Sequence, residues 1–147
     1  MHTAKGVFHG LAAVLETRLL RNDWKGVHVA VQGLGNVGWR LAELLHRAGA
    51  RLTVSDIRRD RVDDAVRSFG ARAVAPDAIH AVEADVFAPC ALGGVIDRDT
   101  IGGLRVKAVA GAANNPLAAD DMADALAERV ILFAPDFVIN PRDLFPP

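Results

Sequence analysis

The sequence has 147 residues, of which 51% are hydrophobic and 24% charged, and its formal net charge is −1 at pH 7. This length predicts a single domain with one core, because domains usually take roughly 100–200 residues. The near-neutral charge, with no run of Lys or Arg, argues against nucleic acid as a partner. The chain has one cysteine, no signal-peptide pattern and no apolar run near the ~20 residues that cross a bilayer, so we expect a cytoplasmic protein without membrane contact.

The first half of the chain predicts a leading helix, within about residues 1–25, followed by two strand-helix units. Apolar spacing predicts, in chain order, a helix over 3–20, a strand over 27–31, a helix over 37–48, a strand over 52–54 and a helix over 58–69. We expect Asn22 and Asp23 to end the first helix, and Gly49 and Gly70 to end the other two.

The second half continues the alternation and ends in a proline-rich tail over 141–147. Further strands are predicted at 72–74, 85–88, 106–110 and 130–133. Strands that alternate with helices pair in parallel through right-handed crossovers. The sequence therefore predicts an α/β fold of the Rossmann type, a doubly wound, mostly parallel six-stranded sheet with helices on both faces.

Residues 33–38 read GLGNVG, directly after a predicted strand and at the start of a predicted helix. The first glycine of such a loop makes a tight turn, the second lets the backbone approach a pyrophosphate, and the third lets the helix pack close to the strand. Backbone N–H groups at the positive end of the helix then face the phosphates. The residues predicted to bind NAD here are Gly33, Gly35, Asn36, Val37 and Gly38, with a purely structural turn as the alternative.

Asp56 lies at the end of the second predicted strand, where a carboxylate can accept hydrogen bonds from both hydroxyls of the adenosine ribose. Its charge favours NAD, because it would repel the 2′-phosphate of NADP. Arg58 and Arg59 follow at once and could attract that phosphate. Asp56 could also cap the helix that follows, as an alternative role or as a second one.

No metal site and no catalytic nucleophile is predicted. None of the five histidines stands at ligand spacing with another His, Cys or carboxylate on a predicted helix, and Cys90 has no His or Lys near it in sequence. The charges of alternating sign over 58–64 are predicted to form a solvated helix face.

Five segments occur in a fixed order along nearly the whole chain: TAKGV from Thr3, VQGLGNVG from Val31, APCALGG from Ala88, AGAANNP from Ala110 and APDFVIN from Ala134. Together they closely resemble the C-terminal, NAD-binding domain of the glutamate, leucine, phenylalanine and valine dehydrogenases. Five motifs in order are far more specific than the glycine loop alone.

The resemblance implies oxidative deamination, in which NAD takes the Cα hydride of an L-amino acid and the imino acid is hydrolysed to an oxo acid and ammonia. It also implies that Thr3 contacts the nicotinamide carboxamide, that Ala91 and one of Asn114 and Asn115 line the nicotinamide side, and that Asn140 faces nicotinamide or substrate. Ile57, beside Asp56, joins the cofactor-binding set. The two asparagines could instead form an ordinary turn before Pro116.

The resemblance implies that catalysis requires groups from outside this chain. In the family, a separate N-terminal domain supplies a lysine that activates water and an aspartate that shuttles protons, whereas Lys5, Lys25 and Lys107 of this chain follow no run of glycines. We therefore expect the NAD-binding domain of an amino acid dehydrogenase, with a leucine-type substrate favoured, that is inactive without a separate catalytic domain or subunit. The alternatives are a non-catalytic NAD-binding module and a truncated remnant.

Overall fold

A computed structural model describes residues 3–91, 95–112, 117–119 and 121–133. They form a sheet of parallel strands in the order β3-β2-β1-β4-β5-β6. The strands are β1 (His28–Gln32), β2 (Arg51–Ser55), β3 (Arg72–Ala73), β4 (Val86–Pro89), β5 (Ala108–Val109) and β6 (Leu132–Phe133). This confirms the predicted Rossmann-type architecture, and the strand order reverses between β1 and β4.

Helices cover the sheet on both faces. They are α1 (Ala4–Arg18), α2 (Asn36–Arg47), α3 (Arg59–Phe69) and α4 (Asp121–Glu128), with short 3-10 turns at Ile79–Ala81 and Ile101–Gly103. Side chains alternate along β1, so that Val29 and Val31 join one apolar cluster and Ala30 joins another. The first cluster includes Leu11 and Leu41 from helices α1 and α2, and the second includes Leu126 from α4. None of the helices in these ranges is long and apolar enough to span a membrane.

One helix end and one strand start differ from the sequence prediction, in each case beside a non-glycine residue with a left-handed conformation. Helix α1 ends at Arg18, before the predicted Asn22 and Asp23, since Leu20 has φ +56° and the Arg21 N–H donates to the Leu15 carbonyl. The predicted strand over 130–133 begins only at Leu132, because Val130 has φ +59° in the turn after α4.

The outer strands are shorter than the sequence predicts. Strands are predicted over 72–74 and 106–110, but β3 and β5 have only two residues each. The helical spacing of Val62, Ala65, Val66 and Phe69 predicts that all four face inward from α3, but Val66 is 39% exposed, whereas Ala65 is fully buried. The apolar face of α3 is therefore narrower than its sequence pattern indicates.

Candidate functional site

Three segments meet at the carboxyl edge of the sheet, where the strand order reverses. The glycine loop follows β1, Asp56 follows β2, and Cys90 and Ala91 follow β4. Gln32 at the end of β1 lies opposite Ser55 of β2 and Pro89 of β4. Open α/β sheets bind their ligands in the crevice outside the carboxyl ends of the strands at such a reversal.

Gly33 makes the tight turn that leads out of β1. Its φ is +95°, and its N–H donates to the Ser55 carbonyl over 2.8 Å. A Cβ added at this position would lie 2.6 Å from the Cβ of Ala91. Only glycine therefore satisfies both the backbone conformation and the close approach of the segment after β4.

The other two glycines of the loop have opposite surroundings. A Cβ on Gly38 would lie 2.0 Å from the Gly33 carbonyl oxygen, so this glycine lets α2 pack against the turn. Among the residues that the structure describes, a Cβ on Gly35 would meet only the Arg61 side chain, at 3.7 Å. The space above Gly35 is thus open to a ligand, as the approach of a pyrophosphate requires.

The first turn of α2, which is the positive end of the helix dipole, faces this open space. Gly35 is the residue that precedes the helix, so no side chain caps it, and the first turn contains no acidic residue. The backbone N–H groups of a helix start attract anions because the helix dipole is positive there. Asn36 and Val37 contribute N–H groups to this turn, and Asn36 is exposed.

Asp56 ties the end of β2 to the glycine loop. Its Oδ2 accepts a hydrogen bond from the Leu34 N–H over 2.6 Å, and its Oδ1 accepts one from the Arg58 N–H over 2.7 Å. The residue that precedes α3 is Arg58, so the alternative in which Asp56 caps this helix directly is wrong. Ile57, next to Asp56, is 91% exposed.

A pocket of about 300 Å³ opens beside the loop between α2 and α3. Its lining residues are Leu34, Gly35, Asn36, Trp39, Arg61 and Asp64. Arg61 is half-buried, and its Nη1 donates to the Leu34 carbonyl at 3.5 Å. The prediction that all charges over 58–64 form a solvated face is therefore wrong for Arg61.

Cys90 joins the site as a structural residue. Its N–H donates to the Gln32 carbonyl over 2.7 Å, and burial raises the pKa of its thiol to about 11. At such a pKa the thiol is protonated at neutral pH. A Cβ on Gly111 would lie 2.3 Å from the Pro89 carbonyl oxygen, so the segment after β5 passes directly against the end of β4. Gly111 lies in the segment AGAANNP, but its contact with Pro89 was not predicted.

Four predicted residues are not brought to the loop by a described contact. Thr3 is exposed and caps α1 by accepting a hydrogen bond from the Gly6 N–H over 3.1 Å. Asn114, Asn115 and Asn140 lie outside the described residues. Their predicted contacts with nicotinamide stay predictions.

A larger cavity, of about 750 Å³, lies at the opposite edge of the sheet. It is lined by residues at the amino ends of the strands, among them His28, Arg51, Asp85 and Lys107. None of the predicted cofactor-site residues that the structure describes lies in it. The smaller pocket beside the loop is the candidate site, because it adjoins the helix start and the strand-order reversal.

A sequence profile of the family described as Glutamate/Leucine/Phenylalanine/Valine dehydrogenase matches residues 1–60 and 54–141. The chain belongs to this family. The match confirms the resemblance seen in the five ordered segments. Members of this dehydrogenase family depend on NAD or NADP.

Individual members of the dehydrogenase family are similar over almost the whole chain. Leucine dehydrogenase from Bacillus cereus is 45% identical over 138 residues, which are 94% of this chain and 38% of that protein. The crystal structure of L-tryptophan dehydrogenase from Nostoc punctiforme matches with a TM-score of 0.90 and 43% identity, over 94% of this chain and 42% of that one. A hetero-hexameric glutamate dehydrogenase from Thermus thermophilus matches with a TM-score of 0.70 and 27% identity, over 92% and 36%. The chain thus spans about two fifths of the length of these relatives.

Proposed function

We propose that this chain is the NAD-binding domain of an L-amino acid dehydrogenase. The observation that carries the proposal is the contrast within the glycine loop. Gly33 and Gly38 are closed off by backbone and by Ala91, whereas Gly35 faces open space at an uncapped helix start. A loop that served only as a structural turn would have no need of an open second glycine.

The loop and Asp56 account for two parts of the adenosine diphosphate half of the cofactor, its pyrophosphate and its ribose. The backbone N–H groups of residues 35–37 would hold the pyrophosphate, and the Asp56 carboxylate would accept hydrogen bonds from the ribose hydroxyls. The exposed side chain of Ile57 would pack against the adenine ring. NAD is favoured over NADP because a 2′-phosphate would stand against the Asp56 charge.

The nicotinamide end is assigned by family resemblance. Thr3, Ala91, Asn140 and one of Asn114 and Asn115 would line it. When NAD is bound, its nicotinamide ring accepts the hydride from the substrate. Among the family's substrates a leucine-type amino acid is favoured, because the segments CALGG and ANNP resemble that branch.

Turnover would need groups that this chain does not offer. None of Lys5, Lys25 and Lys107 follows a glycine run, and Lys107 adjoins the cavity at the far edge of the sheet. The water-activating lysine and the proton-shuttling aspartate would come from a separate catalytic domain or subunit. We therefore expect NAD binding without amino acid oxidation by these 147 residues alone.

Calorimetric titration with NAD and NADP tests the proposal, with Gly35→Val as the test variant and Gly102→Val as its control. Gly102 is exposed with no atom near its added Cβ, so it receives the same substitution in open space away from the loop. We expect NAD to bind the wild type and the control more tightly than NADP, and Gly35→Val to lose NAD binding while its circular dichroism is unchanged.

Three other results would count against parts of the proposal. Unchanged NAD affinity of folded Gly35→Val would place the nucleotide elsewhere. No NAD binding by the wild type would favour a remnant that has lost its ligand. NADH formation from leucine or phenylalanine by the chain alone would refute the need for an external lysine.

A further inference from the structure

Arg61 differs from the other charged residues at the start of α3. Its neighbours Arg58, Arg59, Asp60, Asp63 and Asp64 are all exposed, whereas Arg61 is half-buried against the glycine loop. Its Nη1 lies 3.5 Å from the Leu34 carbonyl oxygen and 3.7 Å from the place where a Cβ on Gly35 would stand. The guanidinium group thus occupies the edge of the open space above the second glycine.

The bonding of Arg61 leaves its guanidinium donors available. A hydrogen bond of 3.5 Å is at the long limit for such bonds and is weak. In the described part of the chain, Arg58 pairs with Asp60 and Arg67 pairs with Asp64, but no carboxylate lies within ion-pair distance of Arg61. A guanidinium has five N–H donors in a planar fork that matches the oxygens of a phosphate.

We propose that Arg61 is a further cofactor-binding residue, whose guanidinium binds the pyrophosphate of the dinucleotide from the α3 side. This inference rests on the proposed function. The open space above Gly35 is where the backbone lets the pyrophosphate approach, and Arg61 already stands beside it. The helix start of α2 and the Arg61 guanidinium would then hold the same phosphates from two sides.

The weak bond to Leu34 would be exchanged for charge-assisted bonds when the ligand enters. Bonds between a guanidinium and phosphate oxygens are roughly twice as strong as bonds between neutral groups. The half-burial of Arg61 protects them in part from screening by salt. Because the pyrophosphate is common to NAD and NADP, Arg61 strengthens the binding of both, while Asp56 discriminates between them.

A series of ligands separates the parts of the cofactor that Arg61 touches. Adenosine has no phosphate, ADP has the pyrophosphate, NAD adds the nicotinamide riboside and NADP adds the 2′-phosphate. Each is titrated against the wild type, Arg61→Gln, Arg61→Lys and the control Arg47→Gln, by calorimetry or, for adenosine, by NMR. Arg47 is exposed at the far end of α2, about 16 Å along the helix from the loop, so its loss changes the net charge equally without touching the site.

We expect Arg61→Gln to lower the affinity for ADP, NAD and NADP by a similar factor of about ten, and to leave the affinity for adenosine unchanged. Arg61→Lys, which keeps the charge but loses the fork, should recover part of the loss, and Arg47→Gln should bind as the wild type does. The loss in Arg61→Gln should shrink at high salt.

The proposal is overturned if Arg61→Gln binds ADP and NAD as tightly as the wild type, or more tightly. It is also overturned if only NADP loses affinity, since Arg61 would then contact the 2′-phosphate instead. Failure of the wild type itself to bind ADP and NAD would overturn the proposed function and this inference with it. The wild-type titrations thus test the function, and the difference between wild type and variant tests Arg61.

Discussion

The Asp56 carboxylate accepts a hydrogen bond of 2.6 Å from the Leu34 backbone N–H, which joins the end of β2 to the glycine loop after β1. Its other oxygen holds the Arg58 N–H at 2.7 Å, at the start of α3. An ionised carboxylate has about four acceptor positions, so two such bonds leave room for the ribose hydroxyls. Asp56 therefore joins the loop to the start of α3 and keeps acceptor positions for the ribose contacts proposed above.

Substitution of Asp56 tests both roles. Asp56→Ala should weaken NAD binding by roughly tenfold to a hundredfold, the effect of losing charge-assisted bonds worth about 1.5–3 kcal/mol, and should narrow the preference over NADP. Asp56→Asn keeps an oxygen for the Leu34 N–H but loses the charge, so it should keep more of the NAD affinity than Asp56→Ala. Titration of the three proteins with NAD and NADP measures both effects. Identical curves for wild type and Asp56→Ala would show that Asp56 does not bind the ribose.

The sheet and the glycine loop could be predicted because their signals are local and periodic. Valine-rich runs alternate with helical spacing, and GLGNVG stands between a strand and a helix. Arg61 could not be predicted, because a run of alternating charges indicates a solvated face and gives no sign that one side chain reaches a loop 27 residues earlier. The contact of Gly111 with Pro89 joins the segment after β5 to the end of β4, and its distance follows from the register of the sheet.

Gly38 should be more sensitive to alanine than Gly35. A methyl group at position 38 would stand 2.0 Å from the Gly33 carbonyl oxygen, so either α2 or the turn must move. We expect Gly38→Ala to lower the free energy of unfolding by about 1–3 kcal/mol, the usual cost of overpacking. Gly35→Ala faces open space but replaces the glycine that precedes α2, where alanine is less favourable, so it should lose less, about 0.5–1 kcal/mol. Urea denaturation followed by circular dichroism compares the two variants, and equal midpoints would contradict the close packing at Gly38.

Glycine in place of either left-handed residue, Leu20 or Val130, should increase the stability of the folded chain. Both side chains are exposed, at 85% and 70%, so their removal gives up little burial. The left-handed conformation costs a non-glycine residue about 1–2 kcal/mol, which glycine avoids, although its freer unfolded chain offsets part of the gain.

Thermal denaturation measures this effect on Leu20→Gly and Val130→Gly. We expect a net gain of about 0.5–1 kcal/mol for Val130→Gly, whose side chain is β-branched, and a smaller gain for Leu20→Gly. The control is Val66→Gly, within helix α3, which should lose stability because glycine is a poor helix former. A fall in melting temperature for both test variants would show that the left-handed turns are not strained.

His28 should make the folded chain sensitive to mild acid. Burial lowers the pKa of its imidazole, and the positive charges of Arg51 and Arg72 lower it further, against an opposing effect of Asp85. Because the pKa is lower in the folded chain than in the unfolded chain, only the unfolded chain takes up the proton as the pH first falls below about 6.5. This uptake favours unfolding, so the stability that His28 contributes is present above that pH and is lost as the pH falls toward the folded pKa.

The variant His28→Gln should remove this loss and keep a side chain that can reach Thr53, whose hydroxyl lies 2.7 Å from the His28 Nε2. Urea midpoints at about pH 7.5 and about pH 5.5 measure the effect, and the fall between them should be smaller for the variant than for the wild type. The control is His9→Gln, because His9 is exposed on α1. Its urea midpoint should fall between the two pH values by as much as that of the wild type. An equal fall in wild type and His28→Gln would mean that the proton is taken up elsewhere in the chain.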